Sequence, residues 1–293
     1  MLLPLFWFSA RLTSMNWRNF RKSGNVEDRR GGGAARAGGL GIGGIIIAVI
    51  ASLVFGVNPA QVLGLLGGAN PRVSSTGSAN LNDRDRQFAE SILGKTEDVW
   101  GAIFKRENQT YQPAKLVLFS GQDQSACGAA EAAMGPFYCP SDQTIYIDMT
   151  FFQELRGTSN SDFAQAYVLA HEVGHHVQNV LGISSQVRAQ RAKSDKVTSN
   201  NLSVRLELQA DCFAGIWGNA TATDRAANIT EKEVRAALET AAEIGDDVLQ
   251  RQAGRVANPH TFTHGSAAQR QQWFARGLQS GSPDQCDTFK GKI

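Results

Sequence analysis

Apolar positions recur along this chain in three rhythms, and each predicts a different kind of element. Between residues 82 and 108, Phe88, Ile92, Val99 and Ile103 return at helical spacing. Lys115–Phe119 (KLVLF) and Thr144–Ile147 (TIYI) are short continuous apolar runs and predict strands. Helical spacing then governs Ser161–Leu181, Asn201–Trp217 and Glu231–Leu249, with a short last helix at Ala267–Arg276. The predicted fold class is α+β, a helix-rich domain with a small sheet. No internal repeat interrupts it.

The third rhythm is unbroken apolarity. Leu40–Val57 (LGIGGIIIAVIASLVFGV) carries no charge, and the charge-free stretch extends from Ala37 to Pro71. About 20 apolar residues suffice for a helix to cross a bilayer. The basic residues lie on its N-terminal side, which orients such a span with the N-terminus in the cytoplasm. The predicted organisation is a basic cytoplasmic segment at 1–38 and a transmembrane helix at 39–58. A flexible linker at 59–80, rich in Gly, Ser, Asn and Pro, then leads to an extracytoplasmic domain at 81–293. A cleaved secretory signal fits less well, because the head is too long for a signal n-region. Residues 1–14 are apolar and aromatic but too short to span, and Met15 offers a second candidate start.

Composition sharpens this division. The chain has 293 residues, is 42% hydrophobic and carries a formal net charge of +2. That hydrophobic fraction excludes a mostly disordered protein, and the near-neutral total gives no support to nucleic-acid binding. The charge is unevenly spread. Arg11, Arg18, Arg21, Lys22, Arg29, Arg30 and Arg36 face only Glu27 and Asp28 in the head, while the rest of the chain is mildly acidic. Cys127, Cys139, Cys212 and Cys286 all follow the apolar run. An even number on the outer side of a membrane suggests two disulfides. Of three connectivities, Cys127–Cys139 with Cys212–Cys286 is favoured, because the first pair brackets one short loop; free buried thiols are the alternative.

The chemistry is concentrated on two predicted helices. His171-Glu172-Val-Gly-His175 is an H-E-x-x-H pattern on a helix that Ser161 or Asp162 can cap and Gly182 follows. Residues i and i+4 lie one above the other on a helix face, so His171 and His175 can place two imidazole nitrogens on one zinc ion. Glu172 lies beside them, where it can reach a water at the ion rather than the ion itself. A catalytic zinc needs a third protein ligand. Gln178 and Leu181 stand where a metzincin would place Gly and His, so a later carboxylate is required. Glu207 and Asp211 are one turn apart on an otherwise apolar helix. Glu207 would ligate, and Asp211 would hydrogen-bond the second nitrogen of a ligand histidine and fix its tautomer. An exposed acidic helix face is the plainer reading of these two residues. His176 stands about 100° round the helix from His175 and cannot readily share the metal.

These patterns resemble the gluzincin type of zinc peptidase, with its HExxH and ExxxD helices. Longer runs resemble more closely the bacterial family called putative neutral zinc metallopeptidases. They are MNWRNFRKSGNVEDRRG at Met15–Gly31, SACGAAEAAMGPFYCPSDQTIYID at Ser125–Asp148, THGSAAQRQQWF at Thr263–Phe274 and CDTF at Cys286–Phe289. The resemblance covers nearly all of Met15–Phe289 and leaves out the first fourteen residues. It implies one Zn²⁺ per chain on His171, His175 and Glu207, with Glu172 as general base for a zinc-activated water and Asp211 as the residue behind a ligand. It further implies that His264, followed by Arg270, stabilises the oxyanion, with His260 and His176 as weaker candidates. The expected product is a zinc metalloendopeptidase in the inner membrane of a bacterium, single-pass, with its catalytic domain in the periplasm. Its partners would be a peptide or protein substrate and the bilayer, through residues 39–58, with no nucleic acid. TIYI would be the sheet edge that receives an extended peptide. The competing reading is a non-catalytic, zinc-stabilised, membrane-tethered binding or assembly module.

Overall fold

A strand that is apolar at successive positions must be covered on both faces, and KLVLF is so covered at Leu116–Phe119. In the computed structural model, which describes residues 15–30, 83–159 and 161–293, it forms β2 (Lys115–Phe119) near the middle of a four-stranded sheet. The order is β1 (Val26–Asp28), β2, β6 (Thr144–Asp148) and β5 (Phe137–Cys139). β1, β2 and β6 are parallel, whereas β5 runs antiparallel to β6 with Phe137 opposite Tyr146 and Cys139 opposite Thr144. Leu116, Leu118, Ile145 and Ile147 face the main core. Val117, Phe119 and Tyr146 form a second cluster with Ala130 and Cys139, beneath the hairpin β3 (Gln122–Ser125) and β4 (Gly128–Glu131).

Eight helices are described. α1 (Asp83–Arg106) is followed, after the sheet, by α2 (Met149–Ser159), α3 (Asp162–Val180) and α4 (Ile183–Arg191). Then come α5 (Lys196–Thr223), α6 (Glu231–Glu243), α7 (Asp246–Gln252) and α8 (Ala267–Ser280). Polar N-caps set the starts. The Ser161 side chain accepts from Ala164 N at 3.2 Å, Asp195 accepts from Thr198 N at 3.0 Å, and Ser266 forms a reciprocal box with Gln269. The expected helix Glu231–Leu249 is two helices. Gly245 is extended at φ −72° and ψ 139°, and Asp246 N donates to Gly265 O at 2.8 Å, so the chain turns there.

Both expected disulfides are formed. Cys127–Cys139 ties the β3–β4 turn to the end of β5, and Cys212–Cys286 fastens the C-terminal tail to α5. Two expectations change. TIYI is not an edge: β6 lies between β2 and β5, so the free edge on this side is β5. Nor does the folded unit begin near residue 81, because Met15–Arg30 contribute β1 and buried core residues to it. The sequence hid this because Val26-Glu27-Asp28 has one apolar residue in three and lacks a strand pattern. The expected span at 39–58 and linker at 59–80 lie outside the described residues. Among those described, no helix is long and apolar enough to cross a membrane.

Candidate metal centre

α3 and α5 cross closely because Gly174 lets them. A Cβ at Gly174 would lie 2.9 Å from the Ala210 carbonyl oxygen and 3.1 Å from the Ala210 Cα. This contact falls between His171 and His175 on one helix and between Glu207 and Asp211 on the other, so it sets the spacing of the whole constellation.

Three side chains converge there. His171, His175 and Glu207 each offer a ligand atom, and these atoms lie within 4.8 Å of one another. His171 Nε2 is 3.2 Å from Glu207 Oε2, and His175 Nε2 is 3.5 Å from Glu207 Oε1. The opposite nitrogens are engaged elsewhere. His171 Nδ1 lies 2.8 Å from Asp211 Oδ1, and His175 Nδ1 lies 2.9 Å from Gln178 Oε1. Gln178 is itself held by Leu206 O at 2.6 Å and Gln209 Oε1 at 3.1 Å. With each Nδ1–H donating to these oxygens, both Nε2 lone pairs point toward the Glu207 carboxylate. Two imidazole nitrogens and one carboxylate match the ligand chemistry of a catalytic zinc with room for a further ligand.

The electrostatics of the cluster suit a cation. Burial opposes a charge on His171, yet Asp211 and Glu207 outweigh it and raise its pKa to about 10. His175 is also raised against its burial, by Glu207. Glu207, half-buried, is held well below the usual carboxylate range by His175 and His171 against its desolvation. Glu172 behaves in the opposite way. Burial pushes its carboxyl up, the two histidines only partly offset this, and no hydrogen bond from a described residue engages it.

Asp211 is completely buried and has a full set of partners. Oδ1 accepts from His171, from the Tyr167 hydroxyl at 2.7 Å and from Arg270 Nη2 at 2.9 Å, while Oδ2 accepts from Arg270 Nε at 2.9 Å. Burial disfavours its charge, but Arg270 and His171 prevail and its pKa falls to about 2. Asp211 lies behind His171 as its spacing from Glu207 leads one to expect, whereas Tyr167 and the Arg270 clamp were not expected. Tyr167 precedes His171 by four residues on the same helix face, a spacing that could have pointed to it. Arg270 arrives from α8, and no local pattern signals that contact.

His264 reaches the same cleft on a loop organised by Asp246. The backbone N–H groups of Thr263, His264 and Gly265 all donate to Asp246 Oδ2, at 2.7, 2.6 and 2.9 Å. His264 Nδ1 lies 3.3 Å from Asp246 Oδ1, and Asp246 and Glu207 raise its pKa against the desolvation of the cleft. Asp246 was not singled out from the sequence. The other two histidines stand apart. His176 is buried between the Tyr138 hydroxyl at 3.0 Å and the Gln112 carbonyl at 2.6 Å, and His260 is exposed in a short 3₁₀ turn.

The convergent residues open on a cleft of about 900 Å³. Phe137, Tyr138, Phe151 and Leu155 form its wall on the side of β5 and α2, and Val187, Leu206, Ile244 and Leu249 face them from the helical side. His171, Glu172, His175, Glu207, His264 and Arg270 all line it. An apolar cleft with a few convergent polar groups is the usual form of a small-molecule or peptide site.

A family model described as putative neutral zinc metallopeptidase matches residues 15–289. Among curated relatives, the uncharacterized protein YpfJ of Escherichia coli K12 is 44% identical over 291 residues, covering 95% of this chain and all of the relative. The uncharacterized protein Mb2605 of Mycobacterium bovis is 43% identical over 214 residues, covering 69% of this chain and 71% of the relative. No solved structure matches the chain. The family match takes in the N-terminal strand, both ligand-bearing helices and the C-terminal tail, and the chain accordingly belongs to the putative neutral zinc metallopeptidases.

Proposed function

We propose that the chain is a zinc-dependent endopeptidase. The observation that carries this reading is the convergence of His171 Nε2, His175 Nε2 and Glu207 in an open cleft, with the unengaged Glu172 carboxylate on the same helix. Zinc bound there supplies a Lewis acid that polarises a carbonyl and makes water nucleophilic near neutral pH. Glu172 accepts the proton from the attacking water and delivers it to the leaving amine. Its elevated pKa suits both halves of that task, since a stronger base takes the proton and a carboxylic acid can return it. His264, steadied by Asp246, donates a hydrogen bond to the developing oxyanion. The free edge of β5, with Phe137 and Tyr138 on the cleft wall, offers main-chain pairing to an extended substrate.

Localisation outside the cytoplasm of a bacterium, with bilayer attachment through residues 39–58, forms part of this proposal. The two disulfides support an oxidising compartment. A non-catalytic, zinc-stabilised module is less well supported, because a structural zinc would ordinarily be closed by a fourth protein ligand, whereas this cluster opens on a cleft. Replacement of Glu172 by Gln, with zinc content and peptide cleavage measured together, tests the assignment.

A further inference from the structure

The N-terminal segment carries the positive charge that would mark a cytoplasmic tail, yet the fold uses that charge internally. Arg21 pairs with Glu97 at 2.6 Å and Asp98 at 2.9 Å, and Lys22 lies 3.6 Å from Glu90. Arg29 reaches Asp123 at 3.2 Å as well as Glu27, and Arg30 is paired with Asp28. Arg18 lies 4.3 Å over the Trp17 ring. All five described basic residues of the head therefore have partners, and three of those partner sets include acids of the main domain.

Backbone and core contacts fix the same segment more firmly. Val26, Glu27 and Asp28 pair with Leu116, Val117 and Leu118, and the ladder continues through Leu116 N to Asn25 O at 2.9 Å and Arg29 N to Leu118 O at 2.8 Å. Met15, Trp17 and Phe20 are buried in the main core. Trp17 packs edge-on against Phe88, and its Nε1 donates to Asp162 Oδ2 at 2.9 Å, on the first residue of the helix that bears His171 and His175. Gly94 accommodates the contact: a Cβ there would come within 2.0 Å of the Arg21 carbonyl oxygen. Arg86, in the first turn of α1, lies 3.8 Å from Asp28 at the end of β1, so the two ends flanking residues 31–82 meet on one surface.

We infer that Met15–Arg30 and residues 83–293 occupy the same compartment, outside the cytoplasm. A single crossing at 39–58 would pull β1 from its sheet and Trp17 from its pocket. It would also uncover Leu116 and Leu118 and take the Trp17 donor from Asp162 Oδ2, leaving that carboxylate to Arg84. Positive residues orient a span when they remain as free charges at its end; here Arg21, Lys22 and Arg29 are paired with acids of the domain. The two disulfides of that domain set which side the shared compartment is on. The assignment stands whether or not the cleft cleaves peptides.

Substituted-cysteine labelling of the full chain tests it. All four cysteines of the described residues are in disulfides, so Asn19→Cys or Lys193→Cys each introduces a lone thiol at an exposed position. A membrane-impermeant maleimide applied to intact spheroplasts, with detergent-lysed samples as the reference for full reactivity, is expected to label both variants to the same extent as after lysis. Labelling at residue 193 with protection at residue 19 would establish an odd number of crossings and overturn the inference. Protection of both until lysis would overturn the extracytoplasmic placement.

Discussion

Arg270 meets Asp211 in a two-point clamp, with Nε and Nη2 each 2.9 Å from one carboxylate oxygen, and neither side chain reaches solvent to any extent. Asp211 in turn holds His171, so a residue on α8 controls the geometry of a candidate metal ligand on α3. Replacement of Arg270 by Met strands a buried anion, which costs about 3–5 kcal/mol when one partner of a buried pair is removed. Thermal unfolding is expected to show that loss, and chelator competition a decrease of roughly 10–100-fold in zinc affinity. Arg270→Lys keeps the charge but not the two-point geometry, and its affinity should fall between the two. Equal zinc affinity in all three proteins would contradict the orienting role.

The Gly174–Ala210 contact sets the spacing between the helices that carry the candidate ligands. Gly174→Ala introduces a Cβ 2.9 Å from a carbonyl oxygen, with backbone rather than a flexible side chain opposite it. Overpacking of this kind costs about 1–3 kcal/mol. The variant should unfold at lower temperature and bind zinc more weakly, because the helices must separate where the ligands meet. Gly101, also helical but with nothing near its added Cβ, is the control, and Gly101→Ala should leave zinc binding unchanged.

Much of this centre was legible because helical periodicity reports faces. His171, Glu172 and His175 fall on one predicted helix and Glu207 and Asp211 on another, and the structure brings the two together at the expected residues. The two disulfide pairings followed from loop length. Less legible was whatever depends on contacts between distant segments. Asp246 gathers three backbone donors from a loop far along the chain, and Arg270 reaches Asp211 across a helix interface. The strand edge was misplaced for a related reason. TIYI and Phe-Tyr-Cys are both plausible strands, and only the pairing order makes Phe137–Cys139 the outer one. The short helices Met149–Ser159 and Ile183–Arg191 also escaped, since each spans only about three turns or fewer. The partners of the head's basic residues were not legible either, because Glu97, Glu90 and Asp123 meet them only in the fold.

Zinc uptake should release protons. In the metal-free protein His171 has a pKa raised to about 10, so near neutral pH it holds a proton that a metal must displace. The apparent zinc affinity is expected to rise with pH up to about that value, by about tenfold per pH unit for each proton displaced. The linkage to stability has a defined sign. A raised histidine pKa stabilises the metal-free fold below the unfolded value of about 6.5, and this contribution is lost as pH rises through the folded value. Calorimetric titration at pH 8 in two buffers of different ionisation enthalpy measures the released protons, and a pH-independent affinity with no release would contradict this picture.

The central claim is that Glu172 transfers protons beside a zinc held by His171, His175 and Glu207. Purified full-length protein and its Glu172→Gln variant, assayed together for zinc content and for cleavage of a denatured protein substrate, test it most directly. About one zinc per chain is expected in both proteins, with cleavage reduced by at least about 100-fold in the variant, in the range expected when a general base is lost. Cleavage retained by Glu172→Gln at full zinc occupancy would contradict the claim.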